Sequence, residues 1–305
     1  MGFFNNYLTQ KFLIMSIQQL PYASHSEQEV DATITLVDYQ FRERPNNQMI
    51  KLNSHIISLV VSGSTHVRIK HKETCIDSMH VAFLRKGNCI MQESGSSGRN
   101  FRSLILSFTD LEIERFLEKN FSSYKLMKLS DKTSPFFKIK KDRFIKNTIE
   151  SLETLMQQGA YVMPKMLDLK LEEILMYMCE KEGESFLTFL CSLVNPAKEV
   201  SLEAIVDNNT YTNLNLNELS FLCEVSLSSF KRHFSLKYGV TPGKYFQKKR
   251  LNRAKQLMET GEARAVEVYK LFGYENISNF SAAFKNTFGY PPKDSYVKVK
   301  EMILG

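Results

Sequence analysis

Apolar and polar positions follow two different rhythms along this chain, and the change of rhythm divides it. Between about residues 30 and 110 the apolar residues come in short runs rich in β-branched side chains: ITLV, HIISLVV, HVRIK, HVAFL and RSLILSF. HVRIKHK alternates apolar with basic residues, the period of a strand with one face in solvent. SGS at 62–64 and KGN at 86–88 supply turn residues between such runs. Several short strands at this spacing predict a small sandwich or barrel.

From about 110 to 195 the period lengthens to three and four. Phe144, Ile145, Ile149, Leu152, Leu155 and Met156 fall on one stripe. Met166, Leu167, Leu169, Leu171, Ile174, Leu175 and Met178 fall on another. Gly159 and Pro164 separate the two helices, expected over 143–158 and 165–180, and the residues at 182–184 end the second. FLTFLCSLV makes a third. These apolar faces exceed what a lone hairpin buries, so they pack on the β region, on each other or on a second subunit. NPAKE around Pro196 reads as a linker. Residues 196–305 read as helical throughout, with breaks at Asn213–Asn215, Val225–Ser226, Gly239–Pro242, Gly261 and Gly289–Pro292.

That last segment repeats itself. SSFKRHFSLKYGVTP at 228–242 and SNFSAAFKNTFGYPP at 278–292 align at a constant offset of fifty. Phe230 matches Phe280, Phe234 matches Phe284, Tyr238 matches Phe288, Gly239 matches Gly289 and Pro242 matches Pro292. Aromatics at i, i+4 and i+8 line one helix face and enter a core. The glycine suits a left-handed C-cap, and proline is tolerated where the next helix begins. Upstream of each stripe lies a short amphipathic helix: Leu216, Leu219, Leu222 and Val225 in one copy, Val268, Leu271, Phe272 and Tyr274 in the other. A helix, a tight turn of three to four residues and an aromatic helix make a helix-turn-helix, here twice. KYFQKKRLNRAKQLM joins the units as one helix from about Pro242 to Met258. Two such units fit neighbouring major-groove segments on one face of DNA, ~34 Å apart.

Charge sharpens this reading. Residues 205–305 carry 15 Lys and Arg against 9 Asp and Glu, so nearly all of the chain's +7 lies there. A basic segment on a near-neutral remainder points to a polyanion-binding module joined to one that binds none. The 305 residues suffice for two domains, divided here as 1–195 and 196–305. No apolar run approaches the ~20 residues of a membrane helix, and FLIMSIQQL reads as an ordinary N-terminal segment. Five scattered cysteines without a CxxC point to a reduced compartment. The expected location is the cytoplasm, at the nucleoid.

Residues 200–297 resemble the DNA-binding domain of the AraC/XylS family of bacterial transcription regulators. The carrying stretches are LNELSFLCEVSLSSFKRHFSLKYGVTPGKYFQKKRLNRAKQLM and VEVYKLFGYENISNFSAAFKNTFGYPPKDSY. ILSFTDLEIERFL and LDLKLEEILMYM are similar to the N-terminal domain of the subgroup that includes type III secretion activators. The resemblance implies a multidomain α+β chain. Its N-terminal part would be a cupin-like β barrel (about 30–110) with a helical hairpin (about 110–195), regulatory or dimerising. Its C-terminal part would be an all-α double helix-turn-helix.

The positions opposite the aromatic stripe are the candidate readers. On the first recognition helix these are Ser228, Ser229, Lys231, Arg232 and Ser235. The resemblance gives Ser228, Lys231 and Arg232 the base-reading places. Arg232 could grip guanine O6 and N7 together, or hold a phosphate. His233 is expected to pack at the helix flank. On the second helix the candidates are Asn276, Ile277, Ser278, Asn279, Ser281, Ala282 and Lys285. Asn279 suits adenine, Ile277 a thymine methyl and Lys285 a phosphate. Ala282 stands where family members frequently carry Arg, and Tyr269 where a small Ala is usual. The second unit is therefore expected to contribute chiefly phosphate anchoring and shape readout. Lys248 and Lys249 read as solvated, and Arg250, by resemblance, as an ion-pair partner between helices.

A metal or enzyme site in the N-terminal part would need clustered ligands. His55, His66, His71 and His80 form no HxH pair and have no matching carboxylate cluster, so no cofactor or metal is expected. SGSSG at 94–98 lacks the lysine of a phosphate loop and reads as a loop. The expected partners are double-stranded promoter DNA and RNA polymerase, with a small-molecule effector, a regulatory protein and a second copy as further candidates. Two other classes stay open: a non-specific DNA-coating or helical interaction protein, and a metal-dependent cupin enzyme fused to a basic helical domain.

Overall fold

The computed structural model describes residues 18–20, 34–41, 44–95, 100–121, 134–157, 164–195, 201–212 and 214–295. The expected linker at 196–200, Gly159, Asn213 and most of the SGSSG loop lie outside them. The chain divides into two compact units at Lys198 and Glu199, and each is described by itself.

Ten strands precede or interleave with the first helices. They are β1 (Gln18–Leu20), β2 (Ile34–Phe41), β3 (Arg44–Leu52), β4 (His55–Ser62), β5 (Ser64–Ile69), β6 (Lys72–Asp77), β7 (His80–Leu84), β8 (Gly87–Ser94), β9 (Phe101–Phe108) and β10 (Phe136–Lys140). They form two five-stranded sheets, ordered β1-β3-β8-β5-β6 and β10-β7-β4-β9-β2. Among the described residues no strand is shared between the sheets, so the β region is two open sheets, the sandwich of the two forms that the strand spacing allowed and not the closed barrel that the resemblance implied. A second departure is β10, which pairs antiparallel with β7 although it lies in the stretch read as helical.

Strand periodicity explains the layering. Successive side chains point to opposite faces. Ile56 and Val60 of β4 enter the core between the sheets with Ile50, Val67, Leu84 and Phe101. Ile57 and Leu59 of the same strand enter a second core with Phe83, Leu104 and Leu106. That second core is covered by helices α1 (Asp110–Asn120), α2 (Arg143–Gln157), α3 (Pro164–Glu182) and α4 (Glu184–Val194). The order is therefore sheet, sheet, helices. The middle sheet is buried on both faces, which is why HIISLVV reads as a continuous apolar run. In the outer sheet β5 alternates, with His66 exposed between buried Thr65 and Val67. The two expected helices at 143–158 and 165–180 are α2 and α3, and they do pack on the β region. Gly183, at φ 59°, breaks the chain between α3 and α4.

Polar side chains fasten the layers. Arg85, just after β7, donates to the carbonyls of Ser192, Leu193 and Asn195, among the orphan acceptors at the end of α4. Arg102 of β9 pairs with Asp38 of β2 at 2.9 Å and with Glu153 of α2 at 2.7 Å. His55 is fully buried at the start of β4. Its Nδ1 accepts from the Lys86 backbone N–H at 3.1 Å, which leaves the proton on Nε2 facing Asp110 Oδ1 at 2.7 Å. Lys86 Nζ reaches the other Asp110 oxygen at 2.6 Å. One neutral imidazole thus joins a strand, a turn and the N-terminus of α1.

Burial pushes the His55 pKa from 6.5 down to about 4, against the pull of Asp110. The unfolded chain therefore binds a proton at His55 in a window where the folded chain does not. Stability should be fully present above pH 6.5 and fall as the pH drops towards 4, by up to ~1.4 kcal/mol per pH unit. Urea unfolding across that range should show this slope in the wild type. His55→Gln should flatten it whatever its absolute stability.

Candidate nucleic-acid interface

Among its described residues the second unit is six helices: α5 (Leu202–Asn209), α6 (Leu216–Leu222), α7 (Leu227–Tyr238), α8 (Pro242–Glu259), α9 (Ala265–Leu271) and α10 (Ile277–Phe288), followed by a short 3₁₀ turn. The helices α7 and α10 carry the repeated motif, and α8 joins the two copies.

Each aromatic stripe builds its own core. Phe230 and Phe234 are fully buried with Val206, Leu219 and Phe246. Phe234 is the hub, with ring centroids 5.8 Å from Phe230, 4.4 Å from Tyr238, 5.2 Å from Tyr245 and 5.7 Å from Phe246. Phe284 repeats the role, 5.7 Å from Phe280, 4.5 Å from Phe288 and 5.8 Å from Tyr290. The other side of α8 serves this second core through Leu251, Ala254 and Met258. Both aromatic helices end on a left-handed glycine, Gly239 at φ 69° and Gly289 at φ 81°.

Helix starts are equally parallel. Ser226 caps α7 by accepting from the Ser229 N–H at 3.1 Å, and Asn276 caps α10 by accepting from the Asn279 N–H at 2.8 Å. In the supporting helices, Glu218 accepts from the Asn215 N–H at 2.7 Å and Glu267 from the Arg264 N–H at 2.8 Å. The sequence signals of these caps are N-x-x-E at 215–218 and Ser or Asn before each aromatic run, whereas RAVE at 264–267 offers only the glutamate.

The turns differ. Four residues (223–226) separate α6 from α7, and five (272–276) separate α9 from α10, against the three to four expected. The aromatic helices are offset by fifty and the supporting helices by 49. Both supporting helices end in the same hydrogen-bond pair. Glu224 N–H donates to Phe221 and Val225 N–H to Ser220, while Gly273 donates to Lys270 and Tyr274 to Tyr269. This C-terminal motif places one residue in the left-handed region. It is Gly273 at φ 73° in one unit and Glu224 at φ 57° in the other.

On α7, Ser228, Lys231 and Arg232 are exposed, and Ser229 and Ser235 are half-buried. Ser228 and Ser229 hydroxyls lie 2.9 Å from the capping Ser226 hydroxyl. His233 is exposed, a correction to the packed flank expected. On α10, Ile277, Ser278, Asn279, Ala282 and Lys285 are exposed and Ser281 is half-buried. Asn276 is exposed too, but its side-chain oxygen is held by the cap. The candidate residues thus lie on the two faces opposite the buried phenylalanines. Arg250 forms no ion pair among the described residues. Its Nε is buried without a hydrogen-bond partner, and it lines the clefts on both sides of α8.

Known proteins share both parts. Residues 55–189 match the family described as the ExsA N-terminal regulatory domain, and residues 222–295 match the helix-turn-helix domain family. The virulence regulon transcriptional activator VirF of Yersinia enterocolitica is 24% identical over 153 residues, 50% of this chain and 55% of that protein. The HTH-type transcriptional regulator ExsA of Pseudomonas aeruginosa is 21% identical over 242 residues, 78% of this chain and 84% of that one. The chain spans about a quarter to about half the length of the first curated relatives it matches. Among solved structures, apo ToxT K231A from Vibrio cholerae aligns over 88% of this chain and 99% of its own, at 14% identity and a TM-score of 0.42.

A non-glycine residue in the left-handed region is strained by roughly 1–2 kcal/mol, partly offset by the backbone entropy that glycine loses on folding. Glu224→Gly should therefore stabilise by ~0.5–1 kcal/mol. Gly273→Ala should destabilise by about 1 kcal/mol through conformation alone, since nothing lies within 4 Å of the added methyl. Chemical denaturation followed by far-ultraviolet circular dichroism tests both signs.

Proposed function

We propose that the chain is a helix-turn-helix regulator of the AraC/XylS type, a sequence-specific DNA-binding transcription activator whose α7 and α10 read two adjacent major-groove segments. The observation that carries this reading is the duplicated unit: each copy buries its phenylalanines and turns the matching positions 228, 231, 232 and 235, or 278, 281, 282 and 285, away from that core. Arg232 and Lys231 are the principal readers in the first unit. The second unit offers Asn279 and the exposed methyls of Ile277 beside Lys285, a set suited to weaker base discrimination and firmer backbone holding.

The first unit acts as the regulatory part, taking a small effector or a partner protein and transmitting its state to the DNA-binding unit. The outer side of α3 keeps Met166 and Leu169 exposed, Leu169 by 60%, which favours it as the place where a second copy docks. Activation requires contact with RNA polymerase. Among the described residues no helix is long and apolar enough to cross a membrane.

Selection of bound sites from random duplex DNA by the full-length protein, at near-physiological salt, should yield a defined motif. The Lys231→Ala, Arg232→Ala double variant should lose or relax part of that motif and bind the preferred site at least ~10-fold more weakly. Lys285→Ala should weaken binding about equally on all sequences and reduce the salt slope by about one. Absence of any enriched motif would sink the reading of α7 and α10 as recognition helices.

A further inference from the structure

A cleft of about 510 Å³ opens in the second unit, between the first half of α8 and the turn that leads into α10. Lys244, Gln247 and Arg250 line it from α8, and Phe272, Gly273 and Tyr274 line it from the turn. None of its lining residues is acidic, and two are cationic. Arg250 is the unusual one. Its side chain is half-buried, yet it forms no ion pair and donates no hydrogen bond among the described residues. Only its Nε is buried without a partner. Nη1 and Nη2 are not closed off with it, so the outer end of the guanidinium stays open to what enters the cleft.

That charge lies on the α10 side of α8. Burial raises the Tyr274 pKa, while the Gln247 side chain and the Arg250 charge pull it back, which puts the guanidinium near the Tyr274 hydroxyl. Lys244 is exposed at the same cleft and makes no ion pair among the described residues. The backbone of α8 is approachable beside them, since a methyl added at Gly243 meets nothing within 4 Å. A partly desolvated cation is normally paired. The missing partner is an anion with several acceptor oxygens, able to meet a guanidinium fork and an ammonium together, which is the chemistry of a phosphate. The place of the cleft says where that phosphate comes from. Gly273 and Tyr274 belong to the turn that delivers Asn276 and Ile277, the start of α10. The N-terminal end of a recognition helix meets base edges, and the elements beside it meet the DNA backbone.

We propose that this cleft is a phosphate site in which Arg250 and Lys244 hold one backbone phosphate of the DNA between the segments faced by α7 and α10. The site rests on the reading of α10 as a recognition helix and gives α8 a part in binding beyond joining the two units. The cleft lies where the start of α10 faces α8, so the phosphate it holds falls between the two read segments and fixes the spacing from one to the other.

The test compares the full-length protein with its Lys244→Ala, Arg250→Gln double variant by fluorescence anisotropy on labelled DNA. On a duplex of arbitrary sequence, the slope of log affinity against log salt should fall by about one in the variant, because one phosphate is released. On the preferred site, neutral methylphosphonates replace single phosphates across the stretch between the read segments. One or two adjacent positions should cost the wild type ~10-fold, the worth of one charge-assisted contact, and the double variant less than ~2-fold. Gln247→Glu, at an exposed position, sets a carboxylate three residues from each cation. It should weaken DNA binding by ~10-fold while the urea midpoint holds or rises, a combination that damage to the fold does not produce. An unchanged slope, no methylphosphonate position that separates the two proteins, or unchanged DNA affinity in Gln247→Glu each overturns the proposal. A free anion occupying the cleft would leave no such backbone position and counts against it too. The slope needs no recognition of bases, so the site is judged even where selection yields no motif. A selected motif with an unchanged slope removes this site and leaves the recognition helices standing.

Discussion

The second unit depends on burying two phenylalanines one helical turn apart. Phe234 and Phe284 each touch the ring before them, the ring after them and an aromatic from the next segment, and each is fully excluded from solvent. Aromatic contacts of this kind add to a large burial term and have narrow geometric tolerance. They fix the rotation of α7 and α10 about their own axes. Once that rotation is set, which side chains face outwards is no longer free. The orientation of the candidate surface is here specified by residues that do not lie on it.

The first unit meets a different constraint, because its middle sheet must be covered on both faces. The other sheet supplies one cover and the helices supply the other. Buried polar groups connect the layers at their margins: Arg85 closes the carbonyl end of α4, and His55 ties β4 to the beginning of α1. Such contacts define registry between layers that apolar packing alone leaves degenerate. Apolar packing holds the sandwich, and these polar clasps decide how its parts align.

The sequence made some of this plain and concealed the rest, for identifiable reasons. The Phe-x3-Phe stripes were legible because large aromatics at helical spacing admit one local solution. The strands from HIISLVV to RSLILSF were legible through β-branched runs. FFKIK at 136–140 was not, because it sits among helical stripes and its strand state depends on pairing with β7, some fifty residues earlier. Whether the sheets close was equally invisible, since closure is decided at strand edges and not within strands. The extra residue in the second turn was hidden by aligning the copies on their aromatics, which imposed one offset on both helices of each unit. Where each candidate reader lies was legible from helical periodicity alone. That Asn276 would serve as a cap required attention to the helix start.

The unequal turns have a consequence for how such a pair can diverge. In both units the supporting helix closes its last hydrogen bond at Val225 or Tyr274, and the aromatic helix opens at its cap, Ser226 or Asn276, so the second unit's extra residue falls between the two. The residue is inserted between two completed structures and disturbs the hydrogen bonding of neither. Length can change at that joint while both helices persist, and each change re-aims a reader against its support. Two copies born alike can then part ways in what they recognise by altering the hinge between them and their scaffold, with the reading surface itself left unrevised.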